Sequence, residues 1–323
     1  MLRAVRFCLM IEGQEGVTWD HWLALAQTAE RLGFEALFRS DHYFSAQGVA
    51  GRGSTDAWTL LGALAARTER IRLGTLVSPI TFRLPSLLAK AAATVDEISG
   101  GRVEIGIGAG WWTEEHAQFG FPFPPTRERF AMLEEQLEIV HGLLTEERFS
   151  FHGAHYTLDD AEFLPKPVQH PRPPILLGGT TVGPWMQRLI GAWADEFNTV
   201  GGEPEQVRER FARARSGVEA AGRDQVSLVT SFMTWCFVAP TDNAYVAMLE
   251  RAHALDPSVG PFEAYRADIE ADCIVGTPAR AAERLSEYAA AGVQRVMLNL
   301  SLYDDLETLE LLATEVFPEV TRT

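Results

Sequence analysis

Residues 71–112 read IRLGTLVSPITFRLPSLLAKAAATVDEISGGRVEIGIGAGWW. A strand, a helix and a second strand are written into this stretch. Residues 71–77 form a short apolar run of strand length. Pro79 disfavours helix in the residue before it, whereas Pro85 suits a first helical turn. Apolar residues then recur at helical spacing over 85–98, Gly100 and Gly101 stop the helix, and 103–107 is the next strand. Strand–helix–strand is the unit of a parallel sheet. Working outward, the same alternation predicts strands at 5–10, 34–39, 175–177, 196–199, 227–238 and 293–300. It predicts helices at 19–32 (Thr18 as cap, Gly33 as stop), from 55 or 56 to 68, at 128–144, from about 182, at 204–221, at 241–254 and at 278–291, capped by Thr277. Eight strands, each followed by a helix, is the count of an α/β (β/α)8 TIM barrel. Residues 1–323 then form one barrel domain with a last helix at about 304–318. An irregular insertion around strands 4–5, at about 146–174, holds Pro165, Pro167, Pro171, Pro173 and Pro174. A loop follows at 256–260. A doubly wound open sheet is the competing architecture.

The chain of 323 residues carries a net charge of -16. That sign argues against nucleic acid and anionic membrane surfaces as partners. Three scattered cysteines, Cys8, Cys236 and Cys273, make neither a disulfide framework nor a CxxC motif. The start Met1-Leu2-Arg3-Ala4-Val5-Arg6-Phe7 lacks a signal peptide's apolar run, and no window is long and apolar enough to span a bilayer. A cytoplasmic protein is expected. No metal site is expected: HExxH is absent, and His152 and His155 sit in the Pro-rich insertion without partners at ligand spacing.

In a barrel the chemistry lies at the C-terminal strand ends. After strand 2 stand Asp41 and His42, a hydrogen-bonding carboxylate beside a general acid/base; a cap and turn is the structural alternative. Phe44 follows. After strand 3, Arg83 is a candidate anion ligand. After strand 4, Gly108, Ala109 and Gly110 allow close backbone approach to a phosphate or planar ring, and Trp111 and Trp112 can wall an aromatic group. After strand 5, Gly178, Gly179 and Thr180 precede a helix, a natural anion site. Trp235 on strand 7 lines the pocket or packs in the core.

With those residues in hand, the sequence resembles the bacterial-luciferase-like family of flavin- and deazaflavin-dependent oxidoreductases. The resemblance runs from about 5 to 300. It rests on Ser40-Asp41-His42, on Gly74-Thr75-Leu76-Val77-Ser78-Pro79 leading to Arg83 and Pro85, on residues 101–111, and on Gly178-Gly179 with Val275-Gly276-Thr277-Pro278. The run Gly110-Trp111-Trp112-Thr113-Glu114-Glu115-His116 looks most like the branch that uses coenzyme F420, a 5-deazaflavin. The resemblance implies a TIM barrel, a homodimer and a small-molecule substrate. It implies a cofactor held by Asp41, Thr75, Leu76, Gly108, Ala109, Gly110, Gly178, Gly179 and Thr180. A non-prolyl cis peptide is expected at Thr75-Leu76. Asp41 would meet the ring's polar edge and His42 would face the substrate, with Phe44, Arg83, Trp111, Trp112 and Trp235 around it. Arg83 is also a candidate for a positive patch under the coenzyme's anionic tail. Relatives that oxidise alcohols or sugar phosphates carry a Glu where Trp111 stands, which favours reduction of an activated C=C or C=N bond here; Glu114 is the candidate replacement. Two alternatives remain: an FMN-dependent monooxygenase using reduced FMN and oxygen, and a catalytically inactive barrel acting as a binding protein.

Overall fold

The computed structural model describes residues 4–321, so Met1, Leu2 and Arg3 of the leader reading lie outside the described residues. In chain order the strands are β1 (Arg6–Ile11), β2 (Ala36–Arg39), β3 (Arg72–Thr75), β4 (Ser78–Pro79), β5 (Val103–Gly108), β6 (Arg148–His152), β7 (Thr157–Glu162), β8 (Ile175–Gly178), β9 (Glu196–Val200), β10 (Val229–Val238), β11 (Ile274–Gly276) and β12 (Arg295–Asn299). Parallel pairing runs β1-β2-β3-β5-β8-β9-β10, and β12 closes the ring between β10 and β1. Eight parallel strands thus form a closed (β/α)8 barrel with the helices outside.

The local signals do what their chemistry dictates. Thr18 Oγ1 accepts from the His21 amide at the start of helix Trp19–Leu32, and Gly33, at φ 82°, ends it by donating to the carbonyls of Ala29 and Glu30. Pro85 opens helix Pro85–Ser99, and Gly100 ends it. Thr277 occupies the N-cap of helix Pro278–Ala290, but its side chain makes no capping bond.

Strand alternation sorts side chains into two cores. Leu9, Ile11, Leu37, Val296 and Leu298 point outward, into the main core under the helices. Cys8, Met10, Ala36, Phe38, Leu176 and Met297 point inward and fill the barrel. At the N-terminal end the inward layer is ionic. Arg295 bridges Glu104 at 2.8 Å, Glu35 at 2.8 Å and Glu196. At the C-terminal end the inward positions that continue these rows are Glu12, Ser40, Val200, Trp235 and Asn299, and they line the cavity described below.

Four elements depart from the expectation. The insertion is not wholly irregular, because β6 and β7 pair as an antiparallel hairpin. A short helix, Thr113–Phe119, follows β5. The loop after 256 leads into helix Phe262–Asp272 and β11, which adds to β10 outside the ring. The last helix is divided into Leu306–Leu311, a π-helical turn Leu312–Val316, and Phe317–Thr321. Among the described residues no helix is long and apolar enough to cross a membrane.

Candidate active site

A cavity of about 400 Å³ opens at the C-terminal strand ends. Four of the expected residues line it: His42, Leu76, Trp111 and Trp235. His42 follows β2, and its Nδ1 lies 2.8 Å from Glu115 Oε2. The other Glu115 oxygen accepts from the Tyr43 amide at 2.6 Å. A carboxylate on Nδ1 fixes the tautomer that keeps a proton there and leaves Nε2 as the imidazole's exchangeable site. Burial opposes charge on this imidazole. The hydrogen bond and charge of Glu115, helped by Glu12 and Asp41, outweigh that and raise the His42 pKa above its ordinary 6.5.

Glu115 was not singled out by the sequence, whereas its neighbour Glu114 was. Glu114 is exposed and Glu115 is fully buried, because helix Thr113–Phe119 turns only Glu115 and His116 inward. His116 anchors that helix: Nδ1 meets the Trp112 carbonyl at 2.6 Å and Nε2 meets Thr81 Oγ1 at 2.6 Å. A carboxylate therefore does reach His42, from a position four residues beyond Trp111.

Asp41 is buried directly behind this surface. It accepts from Ser78 Oγ at 2.7 Å and pairs with Arg83. Arg83 also bridges Asp56 at 2.7 Å. Its guanidinium is thus neutralised by two carboxylates, which corrects the reading of Arg83 as an anion ligand or part of a positive patch. Thr75 is likewise fully buried, and its Oγ1 donates to the Gly106 carbonyl at 3.0 Å.

The non-prolyl cis peptide is present, but it joins Leu76 to Val77, one residue beyond the expected place. The Leu76 amide still donates to the Arg39 carbonyl at 2.8 Å, so the β2 ladder holds through Leu76 and the chain departs only after it. Val77 then leans into β5. A Cβ on Gly106 would lie 1.9 Å from the Thr75 carbonyl oxygen, and one on Gly108 would lie 2.6 Å from Val77. The inward glycines of β5 thus make room for this bulge, whereas Ala109 and Gly110 remain half-exposed at the rim.

Just after β8, Gly179 donates its amide to the Asn198 carbonyl at 3.0 Å. The next helix begins only at Pro184, so Gly178, Gly179 and Thr180 do not stand at its first turn; Thr180 and Thr181 are exposed and Val182 is buried. Phe44 and Trp112 stack with centroids 4.3 Å apart. His42 meets the edges of Trp111 and Trp112 at 5.8 and 5.7 Å. Of these aromatics, Trp111 and Trp235 reach the cavity. Glu12, Gln14, Met233, Asn299 and Tyr303 also line it, although no local motif marked them.

This barrel, with a histidine at the end of β2 and a bulge after β3, is the architecture of the luciferase-like enzymes. The family model described as luciferase-like monooxygenase matches residues 5–295, and the chain belongs to that family. An F420-dependent glucose-6-phosphate dehydrogenase of Nakamurella multipartita is 38% identical over 203 residues, 62% of this chain and 58% of that protein. The chain thus spans less than two thirds of that relative's length. An FMNH2-dependent dimethylsulfone monooxygenase of Pseudomonas putida is 28% identical and covers 95% of this chain and 90% of its own. Among solved structures, an F420-dependent secondary alcohol dehydrogenase bound to an F420-acetone adduct superposes with a TM-score of 0.82 at 23% identity, covering 98% of this chain and 99% of its own.

Proposed function

We propose that the protein is an oxidoreductase that passes a hydride between coenzyme F420 and an organic substrate, reducing an activated C=C or C=N bond. The observation that carries this reading is His42, oriented by a fully buried Glu115 at the edge of a cavity of about 400 Å³. The donor set fits a flat, partly polar ring. Leu76, Val200 and Met233 supply apolar surface, and Glu12 and Gln14 supply polar contacts. The volume lies within the ~300–1,000 Å³ typical of cofactor sites. When bound, the deazaflavin supplies a carbon that gives or accepts hydride. The chain's own part is proton management. His42 holds a proton at Nε2 for the substrate, and Glu115 keeps the imidazole oriented and favours its charged form. Trp111, itself 65% exposed, forms part of the cavity's rim.

The identity to the F420-dependent dehydrogenase supports the deazaflavin. The match along 95% of the chain to a monooxygenase that uses reduced FMN supports the second reading, an FMN-dependent monooxygenase in the same barrel. Titration with F420 and, separately, with FMN distinguishes them, because Trp111 and Trp235 report on the cavity. Tight F420 binding with weak FMN binding supports the proposal. The reverse, together with oxygen consumption in the presence of reduced FMN, favours the monooxygenase. Binding of neither removes both and leaves the inactive barrel.

A further inference from the structure

A second cleft, of about 550 Å³, opens beside the cavity and shares Glu15, Ala46, Gln47, Trp235, Ser301 and Tyr303 with it. The two adjoin along these six residues. The cavity has room for a ring, and the cleft extends it towards helix Phe262–Asp272.

The cleft is acidic. Glu15, Asp256, Asp268 and Asp272 line it, and its one arginine is Arg52. Arg52 is already committed: it pairs with Glu15 at 2.6 Å and also bonds Gln47 and the Leu255 carbonyl. Asp268 and Asp272 lie one helical turn apart, are exposed, and enter no ion pair among the described residues. The walls between these carboxylates are aromatic, from Trp235, Tyr265 and Tyr303. Ring faces beside carboxylates attract a cation and repel an anion.

An independent feature points the same way. Asn299 neighbours Trp235 across the β10–β12 ladder, is 1% exposed and lines the cavity. Its Nδ2 donates to Glu12 Oε1 at 3.3 Å, which sets the amide's orientation, because a flipped amide would turn oxygen towards oxygen. Its Oδ1 is then buried with no donor among the described residues. A buried acceptor without a donor costs free energy until a ligand supplies one. On the cavity side of the shared Trp235 wall, the protein therefore offers a carboxylate and an unanswered carbonyl.

We propose that the substrate carries a positively charged amine, seated among Trp235, Tyr265 and Tyr303 with Asp268 and Asp272 beside it, while its reacting end faces His42. This rests on the functional reading above and names its substrate class.

The test uses the full chain without coenzyme, following tryptophan emission at low salt. The probes are benzyltrimethylammonium and, as an anion of similar size, phenylacetate. The cation should bind about tenfold tighter than the anion, the scale of a desolvated cation–π contact. The double variant Asp268→Asn/Asp272→Asn should lose about fivefold of the cation's affinity, as expected for two partly screened charges. Equal affinity for the two probes, or an unchanged affinity in the double variant, overturns the inference. F420 binding is measured on the same samples. If F420 binds but the cation preference is absent, only the substrate class fails; if F420 and FMN both fail to bind, the functional reading fails with it.

Discussion

At the scale of single residues, the site turns on the pair His42 and Glu115. The pKa of His42 is raised, so the imidazolium persists to higher pH than for a free histidine. If His42 donates the proton in substrate reduction, the rate falls as pH rises through that raised value. Replacing Glu115 by Gln removes the charge that raises it, so the falling limb of the kcat profile should move to lower pH. His42→Ala should lower kcat by about 10²–10⁴, the usual worth of a positioned acid or base. An unchanged profile in Glu115→Gln would show that the pair does not control the proton. The same pair contributes to stability in a defined window. Its contribution is complete below the ordinary histidine value and is lost as pH rises through the folded one. His42 was legible because a histidine at a barrel strand end has few structural reasons to be there. Glu115 was not. A helix of seven residues shows no periodicity, and one residue of rotation decides whether Glu114 or Glu115 faces inward. Asn299 and Glu12 were also illegible, because they are the last inward steps of strands whose register the chain does not announce.

At the scale of elements, the glycines of β5 show how a motif carries a cause other than the first one read from it. Gly108 suggested close approach to a phosphate or a planar ring, yet Val77 already occupies the space beside it, as the Thr75 carbonyl does beside Gly106. Gly106→Ala forces a Cβ towards the Thr75 carbonyl at 1.9 Å, which no rotamer change relieves. Gly108→Ala meets only the branched side chain of Val77, at 2.6 Å. In urea titrations Gly108→Ala should cost ~1–3 kcal/mol, typical of overpacking, and Gly106→Ala should cost more. Adding Val77→Ala should recover part of the loss for Gly108→Ala and little for Gly106→Ala. A Gly106→Ala chain as stable as the parent would contradict this account. Elements that bury an apolar face were legible, down to the Thr18 cap and the Gly33 stop. The missed ones bury little. Helix Phe262–Asp272 has no buried residue, its half-buried apolar residues being only Phe262, Tyr265 and Ile269 along one face, and β7 (TLDDAE) carries acidic residues on an exposed hairpin, so the apolar pattern of each is thin.

At the scale of the whole molecule, two features lie beyond any local window. The first is the ionic layer at the barrel's N-terminal end, assembled from residues at the starts of separate strands. Burial opposes charge on Glu104, but Arg295 and Arg72 outweigh it and hold its pKa at about 2, whereas burial pushes the Glu196 carboxyl up. Arg295→Met would leave Glu196 without its cation and Glu104 with Arg72 alone, at a cost of ~3–5 kcal/mol and a lower Tm. The Glu104 contribution is present above its ordinary value of 4.5 and is lost as pH falls towards about 2, so the variant's deficit should shrink in acid. The second feature is an outward apolar stripe. On helix Pro85–Ser99, Leu87 and Ile98 are 59% and 49% exposed on one face, and Leu84 just before the helix is 58% exposed. The insertion lies alongside: Lys90 Nζ donates to the Leu164 carbonyl at 2.7 Å, and Leu164 itself is 62% exposed. Exposed apolar side chains gathered on one side of a helix are what a two-fold partner would cover. We propose that a second copy of the chain does so. Sedimentation equilibrium should return twice the chain mass of 35.7 kDa, and Leu87→Asp should return that mass itself with the barrel still folded. A parent protein that sediments as a single chain at micromolar concentration would refute this assignment while leaving the active site untouched, since His42, Glu115 and the cavity-lining residues all come from one chain.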